Sequence, residues 1–125
     1  MARVLALTGD LLFGSRVQGA LVAAGHEAEL VGDRAGLVQR LPPEEARDEG
    51  AAALVVDLTD PELDGARIVE SLRAEGRLGG VRTLAFYSHV DAQARERAER
   101  AGFDLVVPRS RMAREGAALV ERLLA

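Results

Sequence analysis

Residues 55–65 read VVDLTDPELDG and pass from apolar to acidic within a few positions. Two valines lead into Asp57, and Pro61, Asp64 and Gly65 follow it. The longer run AAALVVDL is continuously apolar up to the aspartate, a pattern typical of a strand covered on both faces in a parallel sheet. The stretch therefore predicts that Asp57 lies at the carboxyl end of a buried strand.

Four further apolar stretches predict strands on either side of this one. They are RVLALT at 3–8, HEAELVG at 26–32, VRTLAFYS at 81–88 and DLVVP at 104–108. Apolar residues at helical spacing predict helices between and after them. The first helix carries on one face Phe13, Val17, Ala20, Leu21 and Ala24. The second is a short helix over PPEEARDEG at 42–50. The other three lie at about 65–75, over 91–102 and around 112–123. Residues 33–42 show no clear pattern.

Five strands alternating with five helices at short connections predict one doubly wound α/β domain over residues 1–125. We expect a parallel sheet in the order 2-1-3-4-5, with helices on both faces because crossovers are right-handed. Ligands of such sheets bind beyond the carboxyl ends of the strands. The residues predicted to lie there are Thr8, Gly9, Asp10, Asp57, Ser88, His89, Pro108, Arg109 and Ser110.

The composition narrows the class of function. Apolar residues make up 48% of the 125 residues and aromatic residues only 3%, so the core is expected to consist of Leu, Val and Ala. Without Cys there is no disulfide, zinc thiolate or cysteine nucleophile. A net charge of −4 disfavours nucleic acid as a partner. No apolar run approaches the roughly 18 residues of a membrane span. We therefore expect a cytoplasmic protein with no membrane partner.

The order of these features resembles the receiver domain of response regulators over nearly the whole chain. The spacing D-x-x-x-P-x-x-D-G is met by Asp57, Pro61, Asp64 and Gly65. The resemblance implies a flavodoxin-like fold and a role in two-component signalling or a phosphorelay, without enzymatic activity. It also implies that Asp57 is the phosphoacceptor and that Ser88 donates a hydrogen bond to the phosphoryl group.

The chain departs from the receiver pattern at two places. Thr8 and Gly9 occupy the positions where receivers carry two Mg²⁺-binding acids, and Asp10 follows just beyond. Arg109 stands in place of the family's lysine, and Pro108 comes one position early. We therefore expect either no cofactor or Mg²⁺ held weakly by Asp10 and Asp57 with waters.

These departures predict a degenerate phosphorylation pocket, that is, a pseudo-receiver that stands alone and acts by protein–protein interaction. The resemblance implies a signalling protein as partner, a histidine kinase or another regulator, and leaves a homodimer open. A working receiver phosphorylated on Asp57 is the first alternative. The second is a nucleotide- or phosphate-binding domain, because TGDLLFGS at 8–15 places glycines after the first strand, although without the usual motif spacing. Whether Arg109, Arg111 and Arg114 form a binding patch is left open.

Overall fold

The computed structural model describes residues 2–43 and 51–125. Within these ranges the chain forms five strands and five helices. In chain order they are β1 Arg3–Leu7, α1 Leu11–Ala23, β2 Glu27–Val31, α2 Arg34–Arg40, β3 Ala53–Asp57, α3 Gly65–Ala74, β4 Arg82–Tyr87, α4 Ala92–Ala101, β5 Leu105–Pro108 and α5 Arg109–Leu124.

The strands form one parallel sheet in the order β2-β1-β3-β4-β5. The central strand β3 pairs with β1 through Val4 opposite Ala53, and with β4 through Asp57 opposite Phe86. The predicted fold class and strand order are confirmed. Because all the strands run in the same direction, their carboxyl ends share one edge of the sheet, and Asp57 lies at the middle of that edge.

Two apolar layers cover the two faces of the sheet. On β3 the side chains alternate, so that Val55 packs with α1 and α5 while Val56 packs with α2, α3 and α4. All five residues of β3 are buried. The continuous apolar run that predicted this strand thus reflects burial on both faces. This packing fixes the position of Asp57 at the end of the strand.

The helices differ from the prediction in two places. The second helix, α2, covers Arg34–Arg40 within the stretch that showed no pattern, and Asp33 caps it by accepting a hydrogen bond from Gly36 N at 2.8 Å. The short helix predicted over 42–50 falls mostly on residues outside those described. On the predicted inner face of α1, Ala20 is exposed rather than buried, because the buried face is rotated toward Gly14, which lies close to Thr8 and Leu30. Ala24 is also exposed and lies just after the end of the helix.

No helix in the described ranges is both long enough and apolar enough to cross a lipid bilayer.

Candidate functional site at the carboxyl end of the sheet

Asp57 is the last residue of β3, and its side chain is held by two threonines. It is 1% exposed. Thr8 Oγ1 donates to Asp57 Oδ2 at 2.7 Å, while Thr59 donates to Oδ1 twice, from its backbone N at 2.7 Å and from its Oγ1 at 2.6 Å. Burying a carboxylate is costly unless its oxygens are hydrogen-bonded. These three donors provide that compensation.

Thr8 connects this carboxylate to the neighbouring loop. It is 4% exposed, and its N donates to Val31 O at 3.0 Å. Its hydroxyl oxygen also accepts from Asp10 N at 3.0 Å while donating to Asp57. Thr8 therefore holds the end of β1, the start of α1 and the end of β3 together through a single hydroxyl.

Asp10 uses its two carboxylate oxygens for different contacts. Oδ1 caps α1 by accepting from Phe13 N at 3.0 Å. Oδ2 accepts from Arg109 Nη2 at 3.1 Å, and the guanidinium of Arg109 lies 4.2 Å from the centroid of the Phe13 ring. Arg109 is thus fixed by an ion pair on one side and by a cation–π contact on the other.

The two predicted metal residues, Asp10 and Asp57, are engaged in other contacts in this arrangement. Both oxygens of Asp10 are committed, one to a backbone N–H and one to a guanidinium, and Asp57 already accepts three hydrogen bonds. Mg²⁺ requires near-octahedral oxygen ligands at about 2.0–2.1 Å. A bound ion would compete with these contacts for the carboxylate oxygens. In the described parts of the chain, three or more acidic or histidine side chains nowhere converge as a metal site would require.

Gly9 faces an acidic side chain. A Cβ added at Gly9 would lie 2.9 Å from Asp60 Oδ2, and Asp60 Oδ1 accepts from Glu62 N at 3.0 Å. Asp60 therefore stands against the β1–α1 loop. Asp10 also lies at this loop, where it caps the first turn of α1. A phosphate-binding loop needs positive charge, whereas this loop has two carboxylates, those of Asp10 and Asp60.

Ser88 and Arg109 line one cleft, and Asp57 is not among the residues that line it. The cleft has a volume of about 340 Å³ and is also lined by Phe13, Arg16, His89 and Ser110. Ser88 is half-buried and His89 is exposed. Across the described residues, no hydrogen bond joins Ser88 to Asp57. The structure therefore brings Thr8, Asp10, Asp57 and Arg109 into one connected network and leaves Ser88 beside it.

The turn after Asp57 is shaped by Asp64 and Gly65. Asp64 adopts a left-handed conformation with φ of +46°, which Asp tolerates better than most residues. A Cβ at Gly65 would lie 2.4 Å from Val56 Cγ1, so only glycine allows α3 to begin this close to β3. The Asp64-Gly65 pair of the motif is thus explained by the tight turn between β3 and α3.

Three residues of the site were not singled out in the sequence: Thr59, Phe13 and Asp60. A hydroxyl two positions after an aspartate is a common turn pattern, so Thr59 was detectable in VVDLT. Phe13 was taken only as a core residue, whereas its ring also supports Arg109. The approach of Asp60 to Gly9 depends on tertiary structure and leaves no signal in the sequence.

The shifted pKa values lie outside this site. Arg97 on α4 hydrogen-bonds Glu70 on α3, which lowers the pKa of Glu70 and raises that of Arg97. The pKa of Glu75 is lowered by its hydrogen bond from Arg77 and by the charge of Arg34. The Glu70–Arg97 pair joins α3 to α4, and Arg34 on α2 pairs with Glu75 just after the end of α3.

No protein-family model and no curated protein sequence matches the chain significantly. Solved structures do match it. A protein of Chloroflexus aurantiacus assigned as a response regulator is 18% identical with a TM-score of 0.82, and the alignment covers 98% of this chain and 97% of that chain. The receiver domain of Francisella response regulator 1452 is 14% identical with a TM-score of 0.80, covering 99% and 97%. The chain has the receiver-domain fold.

Chemotaxis response regulator CheY4 of Vibrio cholerae is also similar in structure, with 18% identity, a TM-score of 0.79 and 99% of both chains covered. At these identities the receiver fold is what is shared.

Proposed function

We propose that the chain is a receiver-like signalling module of the two-component type with a degenerate phosphorylation pocket, and that it acts by protein–protein interaction rather than as an enzyme. The observation that carries the proposal is the hydrogen bond from Thr8 Oγ1 to the buried Asp57 Oδ2 at 2.7 Å. Thr8 stands where the receiver pattern has an acid. A donor there holds the carboxylate directly, where an acid would instead attract a cation.

Phosphorylation of Asp57 would meet two obstacles in this pocket. A carboxylate oxygen has to attack the phosphorus, and both oxygens of Asp57 are buried and engaged by donors. The acyl phosphate would also carry about 1.5–2 negative charges at neutral pH, where the free carboxylate carries one. Arg109, the nearby cation, is already paired with Asp10. A hydrogen bond from Ser88 would contribute only about 1 kcal/mol net, too little to replace a divalent ion.

The first alternative is a working receiver in which Asp57 is the phosphoacceptor. Its support is the position of Asp57 at the centre of the sheet edge and the nearby permanent charge of Arg109. Intact-mass measurement after incubation with acetyl phosphate and Mg²⁺ decides between the two readings. We expect no modified species, and a modified species that is absent in Asp57→Asn would establish the alternative.

The nucleotide-binding alternative is disfavoured by Asp60 beside Gly9 and by Asp10 within the first turn of α1. Ligands that bind the folded state raise the melting temperature by mass action. We expect no rise with ATP, GTP or their diphosphates. A concentration-dependent rise that disappears in Gly9→Val would move the chain to that class.

Exposed apolar side chains support a protein partner at this end of the molecule. Leu11 and Leu12, directly after Asp10, are 72% and 85% exposed, and Val90 in the loop after β4 is 79% exposed. Exposed apolar groups at a shared edge favour docking of another protein. The partner we propose is a histidine kinase or another regulator in the cytoplasm, or a second copy of the chain. Sedimentation of the wild type and of Leu12→Ser tests the homodimer.

A further inference from the structure

A cleft at the amino end of the sheet lies at the edge opposite to Asp57 and has no part in the site described above. It opens beside the first residues of β4 and β5 and has a volume of about 590 Å³. Three charged residues line it: Arg73 on α3, Arg82 at the start of β4 and Asp104 just before β5. Because two of these charges are positive and one is negative, the cleft offers partners to both ends of a zwitterion.

Asp104 uses only one of its carboxylate oxygens within the described protein. Its Oδ2 accepts from Thr83 N at 2.8 Å and from Thr83 Oγ1 at 3.3 Å, and Thr83 is fully buried. Its Oδ1 accepts no hydrogen bond from any residue that the structure describes. The carboxylate is therefore fixed in position and keeps one acceptor oxygen available.

Both guanidiniums of the cleft have donors to spare. The side chain of Arg82 forms no hydrogen bond or ion pair within residues 2–43 and 51–125. Arg73 donates from Nη1 to Ala101 O at 2.6 Å and from Nη2 to Gly102 O at 3.3 Å, and a guanidinium has five N–H donors in all. A Cβ at Gly102 would lie 3.2 Å from Arg73 Nη1, so the glycine leaves room for this arrangement.

The uncharged residues of the cleft are apolar or lack a side chain. Leu78 and Val81 line it and belong to the apolar core that packs under α3 and α4. Gly80, between them in the chain, has a φ of +76°, and a Cβ there would meet nothing within 4 Å. An aliphatic group of a ligand would therefore find apolar contact beside the charged residues.

We propose that this cleft binds a free α-amino acid with an aliphatic side chain. Arg82 and Arg73 bind its carboxylate, because arginine presents paired donors that match carboxylate oxygens. Oδ1 of Asp104 accepts from its ammonium group, and its side chain packs against Leu78 and Val81. Asp104 and Arg73 are already held by hydrogen bonds, so they lose little conformational freedom on binding. The binding does not depend on the signalling role proposed above.

The test is an NMR titration of the full ¹⁵N-labelled chain with leucine and two of its analogues, at constant pH and ionic strength. Isocaproate lacks the ammonium group of leucine, and isoamylamine lacks its carboxylate. We expect leucine to cause saturable shifts of the backbone amides of Gly80, Arg82 and Asp104. Each analogue should bind at least about tenfold more weakly, because a charge-assisted contact is lost.

Three variants separate the roles of the charged groups. Arg82→Gln should weaken the binding of leucine about tenfold. Arg122→Gln is the matched control, an exposed arginine on α5 outside the cleft, and should change the affinity less than about twofold. In Asp104→Asn the side-chain oxygen can still accept from Thr83 while the charge is gone, so leucine and isocaproate should bind within about twofold of each other.

Three results would overturn the proposal. One is a set of shifts that grows linearly with leucine concentration and never saturates. Another is equal affinity for leucine in the wild type and Arg82→Gln, and a third is wild-type binding of isocaproate as tight as that of leucine. Shifts centred on Asp57 and its neighbours would overturn it too, because they would place the ligand at the opposite edge of the sheet.

Discussion

The carboxylate of Asp57 lies in the interior with three donors around its two oxygens, and one of these donors comes from the residue that follows β1. Thr8 reaches it across the β1–β3 pairing, whereas Thr59 belongs to the same turn. Removing a donor from a buried acceptor costs more than the hydrogen bond itself contributes, because the acceptor is then left unsatisfied. Thr8 is therefore expected to be the most sensitive residue of the site for stability.

Replacing Thr8 with Val should lower the free energy of unfolding by about 1–3 kcal/mol, since Asp57 Oδ2 and Asp10 N both lose their partner. Thr8→Ser keeps the hydroxyl and should therefore lower the free energy of unfolding by less than Thr8→Val. Urea denaturation of the two variants and the wild type measures the difference. Equal stability of Thr8→Val and Thr8→Ser would show that the hydroxyl does not hold Asp57.

Magnesium binding should be weak because the oxygens of Asp10 and Asp57 are already bonded. Calorimetric titration is expected to show no saturation at low millimolar Mg²⁺. Saturable binding that disappears in Asp10→Ala would mean that the ion displaces Arg109 from Asp10.

At the scale of elements, the turn from β3 into α3 sets the geometry of the site. The sequence predicted both elements, because a buried parallel strand and the amphipathic α3 leave strong patterns. It did not predict α2, since only Leu37 is buried on that seven-residue helix. It did not predict the pairing of Asp10 with Arg109 either, because these residues are brought together only by the fold of α1 against α5.

Gly65→Ala tests the close approach of α3 to β3. The added Cβ would collide with Val56, which is fully buried, so we expect a loss of about 1–3 kcal/mol in the free energy of unfolding. Gly19→Ala is the matched control within α1, where a Cβ meets nothing within 4 Å. It should raise stability by about 0.5–1 kcal/mol. A neutral Gly65→Ala would mean that the turn relaxes easily.

At the scale of the whole molecule, the sheet order followed from the sequence, while the ion pairs that join the helices did not. Strand order depends on the number and alternation of elements, which apolar runs reveal. The pairs Glu70–Arg97 and Glu75–Arg34 join residues that lie far apart in the chain. Exposed charged residues carry no sign of their partner in a single sequence.

These pairs predict how stability depends on pH. Arg97 lowers the pKa of Glu70, and Arg77 and Arg34 lower that of Glu75, so both glutamates favour the folded state while they are ionised. That contribution is present above the ordinary glutamate value of about 4.5 and is lost as the pH falls further. Thermal unfolding between pH 3 and 7 measures this effect. As the pH falls, the melting temperature of Glu70→Gln should decline less steeply than that of the wild type.

Glu96→Gln is the control for this effect, because Glu96 forms no ion pair within the described residues. The melting temperature of Glu96→Gln should decline with falling pH as steeply as that of the wild type. High salt should reduce the contribution of both exposed pairs. An identical decline in Glu70→Gln and the wild type would show that the pair does not contribute to stability.

The central claim is that Asp57 belongs to the pocket while its phosphoacceptor chemistry has lapsed. The most direct test is the intact mass of the chain after incubation with acetyl phosphate and Mg²⁺, beside Asp57→Asn treated in the same way. The engaged oxygens of Asp57 and the paired Arg109 predict no gain in mass for either protein. A gain of about 80 Da, one phosphoryl group, in the wild type and its absence in Asp57→Asn would contradict the claim.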